Sequence, residues 1–185
     1  MEFIGLTTPR LRLRPFVEND LEAFTAYRND PSVARYQSWE TYDLERAQSM
    51  YQDSCMVFNK PDSWYQMCIA DVVTDRILGD CCVHFMEEGN QCEIGFTLAS
   101  DNQKQGYAFE AVGALVEFLF NSLKMHRLTA TVDVLNESST KLLEKLGFRR
   151  EGHYVENIWF KGSWGSEYSY ALLASEHKTN GKTKR

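Results

Sequence analysis

Six consecutive residues have the composition of an anion-binding loop: Gln103, Lys104, Gln105, Gly106, Tyr107 and Ala108. They precede the most apolar helical stretch of the chain, and a helix N-terminus offers unpaired amide groups and the positive end of its dipole to a phosphate. Gly106 lets the backbone approach a phosphate closely. The glycines of a dinucleotide fingerprint and the Gly-Lys-Ser/Thr ending of a P-loop are missing, so the segment alone also fits an ordinary loop that enters a helix.

A second segment with chemical potential begins at Asn136 and includes the hydroxyl side chains of Ser138 and Ser139. Asn136 is a good N-cap for the helix that follows, and Gly147 is a natural residue to end that helix. A purely structural reading therefore accounts for this segment when it is taken alone, and a functional reading remains open beside it.

The elements that position these segments follow from the apolar periodicity. Period-two alternation and turn residues predict strands over Thr8–Phe16, Trp64–Ala70, Arg76–Phe85, Gln91–Leu98, Arg127–Val134, Arg149–Phe160 and Glu167–Leu173. Helical spacing predicts helices from Leu21, from Leu44 to about Cys55, over Tyr107–Leu123 and over Ser138–Leu146. This order predicts a mixed α/β fold in which helices cover both faces of one sheet.

Length and charge limit the classes of function. The 185 residues suit a single domain, which we place at residues 1–174, followed by a polar, basic and flexible tail at 175–185. The formal net charge is −6, which argues against a nucleic-acid binder that relies on broad phosphate neutralisation. A field of this sign attracts a cationic substrate.

The cysteines and the apolar runs indicate a cytoplasmic protein. The five cysteines are an odd number and two of them, Cys81 and Cys82, are adjacent, which does not suit a disulfide framework. Together with His84 they lack metal-ligand spacing, so we predict no metal site and expect the cysteines to be small buried apolar residues. No apolar stretch predicts a signal sequence or a membrane span.

Taken together and in order, these segments resemble the GNAT superfamily of N-acetyltransferases, and within it the ribosomal-protein-alanine (RimJ/RimL-like) branch. The resemblance covers nearly the whole chain. Besides the loop, with Gln103, Gly106 and Ala108 at the positions of the family pattern Gln/Arg-x-x-Gly-x-Gly/Ala, it rests on Thr8–Pro15, Asp30–Tyr36, Glu93–Leu98, Glu110-Ala111, Asn136, Ser139, Gly147-Phe148 and Glu151-Gly152.

The resemblance implies a GNAT fold, with a mixed, mostly antiparallel sheet and a V-shaped splay between its fourth and fifth strands. It also implies acetyl-CoA as the donor, with the pantetheine arm between the splayed strands. Backbone groups of Phe96, Thr97 and Leu98 would pair with that arm, and Asn136 would contact it. The backbone from Gln105 to Ala108 would hold the pyrophosphate, with Lys104 near a phosphate.

The same resemblance implies direct transfer of the acetyl group to an amine. Ser139 matches the residue proposed to protonate the leaving thiolate. An alkylammonium has a pKa of about 10.4 and must lose a proton before it attacks, and Glu93 is a candidate base, directly or through water. A solvated strand carboxylate is an equally good interpretation of Glu93. Glu156 and Glu167 lie near the expected acceptor entrance, and Ile158 replaces a Glu found in some relatives that acetylate ribosomal proteins.

The acceptor remains open among a protein N-terminus, a polyamine, an aminoglycoside and an amino-acid analogue. A different class of function also remains open, an acyl-CoA-binding regulatory or interaction domain that has lost turnover. We expect no nucleic-acid or membrane partner, and either a monomer or a homodimer.

Overall fold

The computed structural model of the protein describes residues 3–37, 39–54, 57–88 and 90–177. Its strands are β1 (Leu6–Thr7), β2 (Leu11–Pro15), β3 (Ser63–Asp71), β4 (Ile77–Phe85), β5 (Gln91–Leu98), β6 (Arg127–Asp133), β7 (Arg149–Phe160) and β8 (Ser163–Leu173). Its helices are α1 (Leu21–Arg28), α2 (Pro31–Ala34), α3 (Leu44–Ser54), α4 (Tyr107–Asn121) and α5 (Glu137–Lys145).

The strands form one sheet in the order β1-β2-β3-β4-β5-β6-β8-β7. The pair β5 and β6 is parallel, and the other neighbouring pairs are antiparallel. The predicted mixed, mostly antiparallel sheet is therefore confirmed. The fourth and fifth strands of the prediction are β5 and β6 here, because the two-residue strand Leu6–Thr7 precedes the first predicted one.

Two cores lie on opposite faces of the sheet, and the alternation along β3 separates them. Met67 and Ile69 pack in the core beneath α4 and α5, whereas Cys68 and Ala70 pack in the core beneath α1, α2 and α3. Successive side chains of a strand point to opposite faces, so each strand contributes to both cores. The prediction that helices cover both faces is confirmed.

The parallel contact between β5 and β6 is short. Its residue pairs are Gln91 with Arg127, Cys92 with Leu128, and Glu93 with Thr129. Within the described residues no further pair joins the two strands, although β5 continues to Leu98 and β6 continues to Asp133. Beyond these pairs, the parts of β5 and β6 that do not pair with each other line the cavity described below. The end of this ladder thus leaves backbone groups of β5 available for a ligand.

The cysteines behave as the strand alternation predicts. Cys81 packs in the core with α4, while its neighbour Cys82 lies on the opposite face of β4 and lines a cavity. Burial raises the pKa of the Cys82 thiol and that of the Cys92 thiol to about 12, so both are held as thiols. Cys55, where the second predicted helix was expected to end, lies outside the described residues.

The described part of the chain holds no cluster of three or more His, Cys, Asp or Glu side chains that could bind a metal ion. None of the helices in that part is long and apolar enough to cross a membrane.

Three residues of the predicted tail, Ser175 to His177, are described and form a helical turn with Ala174. The Glu176 carboxylate accepts a hydrogen bond from the Leu173 amide at 2.8 Å, and the His177 ring nitrogen lies 2.6 Å from the Glu117 carboxylate. The centre of the His177 ring also lies 5.2 Å from the centre of the ring of Phe120, a core residue. These three residues therefore contact the rest of the protein. The rest of the predicted tail, residues 178–185, lies outside the described residues.

Candidate active site

A groove of about 410 Å³ runs along the N-terminal ends of α4 and α5. Most of the residues predicted to bind the cofactor line it: Phe96, Thr97, Leu98, Gln103, Lys104, Gly106, Tyr107, Ala108 and Asn136. The predicted residue Gln105 is not among the lining residues. The structure therefore brings together two segments, residues 96–108 and 136, that are distant in the sequence.

The loop before α4 bends sharply at two residues with positive φ, Lys104 at 59° and Gly106 at 82°. Gly106 is the N-cap of α4, and it has no side chain that could cap the helix. The amides of the first helical turn have no acceptors within the helix and are available to a ligand. This conformation suits the predicted role of the loop as an anion-binding segment.

The two glutamines of the loop hold its shape with their side chains. Gln103 Nε2 donates to the carbonyl of Leu98 at 3.2 Å, and Gln105 Nε2 donates to the carbonyl of Asp101 at 2.7 Å. A contribution of Gln105 to ligand binding would therefore come from its backbone.

Three lysines, Lys104, Lys141 and Lys145, line the groove. Lys141 Nζ lies 2.7 Å from the Glu137 carboxylate, and Lys145 Nζ lies 4.4 Å from the centre of the Phe109 ring. Lys104 lies just before α4, whereas Lys141 and Lys145 lie in the middle and at the end of α5. Cations spread along the groove suit an elongated anionic ligand such as acetyl-CoA, although the chain as a whole carries a charge of −6. Sequence reasoning missed Lys141 and Lys145, although their four-residue spacing places them on one face of α5.

A second cavity, of about 430 Å³, is lined by the parts of β5 and β6 that do not pair with each other. It meets the groove at six residues that line both, namely Tyr36, Gln37, Phe96, Thr97, Asn136 and Ser139. A ligand in the groove and a second ligand in the cavity can therefore approach each other at this junction.

Four carboxylates line the second cavity, and one of them is neutralised by Arg28. Asp80 is buried and accepts hydrogen bonds from Arg28 Nη2 at 2.9 Å, from the Tyr27 hydroxyl and from Gln66 Nε2. Burial alone would lower the pKa of Arg28, but the Asp80 charge contributes to raising it above its ordinary value, so the guanidinium stays charged.

The other three carboxylates of the cavity are Glu93, Asp133 and Glu167. Asp133 Oδ1 accepts a hydrogen bond from the Leu135 amide at 2.7 Å, and Glu167 Oε2 accepts one from Asn157 Nδ2 at 2.6 Å. Neither of these donors carries a charge, so these contacts leave the negative charge in place. The cavity as a whole favours a cationic ligand.

The predicted catalytic residues occupy different parts of this arrangement. Glu93 stands at the last position of β5 that pairs with β6, and it lines the second cavity. Ser139 lies at the junction of the groove and the cavity. The N-cap bond of α5 runs from the Ser139 amide to Asn136 Oδ1 at 3.2 Å, so the cap does not use the Ser139 hydroxyl. Of the other two candidate bases, Glu167 lines the cavity and Glu156 does not.

Aromatic side chains form much of the cavity wall. Tyr36 and Trp39 come from the loop between α2 and α3, and Trp39 and Tyr42 of this loop are also buried in the core with α1. Trp64 and Phe160 complete this wall. Aromatic faces attract cations, but three of these rings already lie against cations of the protein: Tyr36 against Arg35, Trp39 against Arg28 and Phe160 against Lys161. The preference of the cavity for a cationic ligand therefore rests on its carboxylates.

Comparisons with known proteins agree with this geometry. The profile of a family described as "Acetyltransferase (GNAT) domain" matches residues 10–149. The chain is 30% identical over 171 residues to a Bacillus subtilis (strain 168) protein described as "uncharacterized N-acetyltransferase YnaD", covering 92% of this chain and 98% of that one. It is 24% identical over 186 residues to the spermidine N(1)-acetyltransferase of Escherichia coli (strain K12), covering 94% and 93% of the two chains.

A solved structure of a GNAT-family acetyltransferase from Bacillus anthracis superposes with a TM-score of 0.83 at 27% identity, covering 93% of this chain and 99% of that one. Fold, groove and sequence similarity thus agree over most of the chain. The chain belongs to the GNAT family of acetyltransferases, and it is an N-acetyltransferase whose acetyl donor is acetyl-CoA.

Proposed function

We propose that the protein transfers the acetyl group of acetyl-CoA directly to a primary amine that carries additional positive charge. The observation that carries this proposal is the meeting of two spaces at Phe96, Thr97 and Ser139. The groove is lined by lysines and helix N-termini, as an anionic donor requires, and the cavity is lined by carboxylates, as a cationic acceptor requires.

In this proposal the chemistry of a direct transfer is divided among residues at the junction and residues next to it in the two spaces. Glu93, directly or through water, takes a proton from the acceptor ammonium, and the free amine then attacks the thioester carbonyl. Backbone groups of Phe96, Thr97 and Leu98 pair with the pantetheine arm and polarise that carbonyl. The carbon–sulfur bond breaks, and the Ser139 hydroxyl donates a proton to the departing thiolate. The nitrogen then loses its second proton, which restores the Ser139 hydroxyl, and Glu93 passes the first proton to solvent. The products are an acetamide, CoA thiol and one released proton.

A polyamine fits the proposed acceptor class best among the open alternatives. Its several ammonium groups match the three carboxylates that Arg28 does not neutralise, and the similarity to a spermidine acetyltransferase supports the same class. A protein N-terminus or an amino-acid analogue presents one ammonium group to the cavity and gains less from this charge.

The acceptor class is tested by measuring CoA thiol release with spermidine, an aminoglycoside, a peptide amine and a neutral primary amine. We expect spermidine to give the highest kcat/KM and the neutral amine the lowest. We also expect Glu167→Gln to lower kcat/KM for spermidine about fivefold, since one solvated charge pair contributes up to about 1 kcal/mol. Glu156→Gln, on the same hairpin outside the cavity, is the matched control. Equal kcat/KM for spermidine and the neutral amine would contradict the proposal.

The role of Glu93 is tested by Glu93→Gln. We expect kcat to fall about tenfold, less than the 10²–10⁴ that a directly acting base contributes, because water in the cavity can also accept the proton. Acetyl-CoA affinity, measured by calorimetry, should not change. Glu87→Gln, in the turn that precedes β5, serves as the control. An unchanged kcat in Glu93→Gln would show that Glu93 is not the base and would support its interpretation as a solvated strand carboxylate.

A further inference from the structure

The start of the chain is joined to the beginning of α4 by a compact polar cluster. The Glu110 carboxylate accepts hydrogen bonds from the Thr8 hydroxyl at 2.6 Å, from the Arg10 amide at 2.9 Å and from Arg10 Nε at 2.7 Å. Arg10 and Glu110 are 100 positions apart in the sequence, and both lie inside the region that matches the family profile.

The Arg10 guanidinium extends from Glu110 along the anion-binding loop. Its Nη1 donates to the carbonyl of Gln105 at 3.0 Å, and its Nη2 lies 3.4 Å from the position that a Cβ on Gly106 would take. The guanidinium carbon lies 4.6 Å from the centre of the Tyr107 ring. One side chain thus contacts three consecutive residues of the loop, from the side that does not line the groove.

Glu110 places a negative charge in the first turn of α4, the helix end that would face the pyrophosphate. Burial raises its pKa, but the hydrogen bonds from Thr8 and Arg10 together lower it more, so the carboxyl is ionised at neutral pH. An ionised carboxylate at this helix end repels a phosphate unless a cation compensates it. Arg10 is that cation, at 2.7 Å.

We propose that Arg10 is a positioning residue for the nucleotide half of acetyl-CoA. It holds the Gln105–Tyr107 backbone in its anion-binding conformation and neutralises Glu110 beside the phosphates. The proposal rests on the placement of the pyrophosphate at this loop, and it assigns no contact between Arg10 and the reacting atoms.

The test compares two donors, acetyl-CoA and acetylpantetheine, which lacks the pyrophosphate and the nucleotide. In Arg10→Met we expect KM for acetyl-CoA to rise about tenfold, an effect limited by the partial exposure of the guanidinium. The kcat at saturating acetyl-CoA and the KM for acetylpantetheine should stay unchanged. Arg12→Met is the matched control, because Arg12 lies two residues after Arg10, on β2, is similarly exposed and pairs with Asp75, away from the loop.

The charge component has its own test in the double variant Arg10→Met/Glu110→Gln. Removing the uncompensated carboxylate should recover part of the acetyl-CoA affinity that Arg10→Met loses, and Arg10→Lys, which keeps the charge, should lose less than Arg10→Met. If the double variant binds acetyl-CoA as weakly as Arg10→Met or more weakly, the neutralising role is wrong.

Two results would overturn the proposal as a whole. One is an unchanged KM for acetyl-CoA in Arg10→Met, and the other is an equal rise in KM for both donors, which would mean a general loss of structure. The wild-type protein distinguishes a failure of the Arg10 proposal from a failure of the placement of the pyrophosphate at the loop, on which that proposal rests. If wild-type KM does not distinguish acetyl-CoA from acetylpantetheine, then the pyrophosphate does not bind at the loop.

Discussion

Replacing Gly106 with glutamate is expected to abolish acetyl-CoA binding while the protein remains folded. Gly106 lines the groove at the N-terminus of α4 with a φ of 82°, which a glutamate would adopt only with strain. Its Cβ would lie 3.4 Å from Arg10 Nη2, so the new carboxylate would compete with Glu110 for Arg10 and add a negative charge at the loop proposed to hold the pyrophosphate. Calorimetry with acetyl-CoA, CoA, NAD and ATP measures the effect. We expect micromolar binding of acetyl-CoA and CoA to the wild type, far weaker binding of NAD and ATP, and no binding of acetyl-CoA to the variant.

The matched control is Gly162→Glu in the turn between β7 and β8. Gly162 has a φ of 81°, nearly that of Gly106, and no atom lies within 4 Å of its Cβ position. Both variants therefore carry a similar backbone strain of about 1–2 kcal/mol, but only Gly106→Glu introduces a charge at the loop proposed to hold the pyrophosphate. Normal acetyl-CoA binding by Gly106→Glu would show that the loop is not the anion site.

Ser139→Ala is expected to lower kcat about 100-fold and to leave acetyl-CoA affinity nearly unchanged. General acid assistance contributes about 10²–10⁴, and the low end applies because a thiolate leaves readily without help. The lost interaction forms mainly in the transition state, so kcat and kcat/KM should fall together. Alanine keeps the amide that Asn136 caps, so we expect the free energy of unfolding to change by about 0.5 kcal/mol or less.

Ser138→Ala is the control for this experiment. Ser138 precedes Ser139 on α5 and lines the groove, but it does not line the cavity where the acceptor is proposed to bind. Its replacement should leave kcat intact. An unchanged kcat in Ser139→Ala, with a lowered melting temperature, would assign Ser139 a purely structural role.

The order and type of the main elements were predictable because the signals are local. β5 and β7 have the predicted bounds, and α5 starts and ends within one residue of its prediction. The start of β8 was placed four residues late, at Glu167 instead of Ser163. β7 and β8 are largely solvent-exposed at the end of their hairpin near Ser163, so no apolar alternation marks the pairing of these two strands there.

The parts of the site that were missed depend on contacts between distant segments. The sequence shows Arg10 as one of several alternating arginines and Glu110 as a polar residue of an apolar helix, and neither pattern indicates that they touch. The buried partnership of Asp80 with Tyr27, Arg28 and Gln66 is of the same kind, since it joins α1 to two strands. An anion-binding loop can be recognised locally in a sequence, because it consists of a glycine just before the start of a helix. The residues that support the loop are determined by tertiary packing, which the local sequence does not show.

The central claim is that the protein completes acetyl transfer to a cationic amine, and the most direct measurement follows both products of one reaction. The wild-type protein is incubated with acetyl-CoA and spermidine, free thiol is titrated, and the amine is analysed by mass spectrometry. We predict one acetylated amine for each thiol released, with neither product formed by Gly106→Glu. Tight binding of acetyl-CoA by the wild type without either product, across the whole amine panel, would contradict the claim and would favour an acyl-CoA-binding regulatory domain.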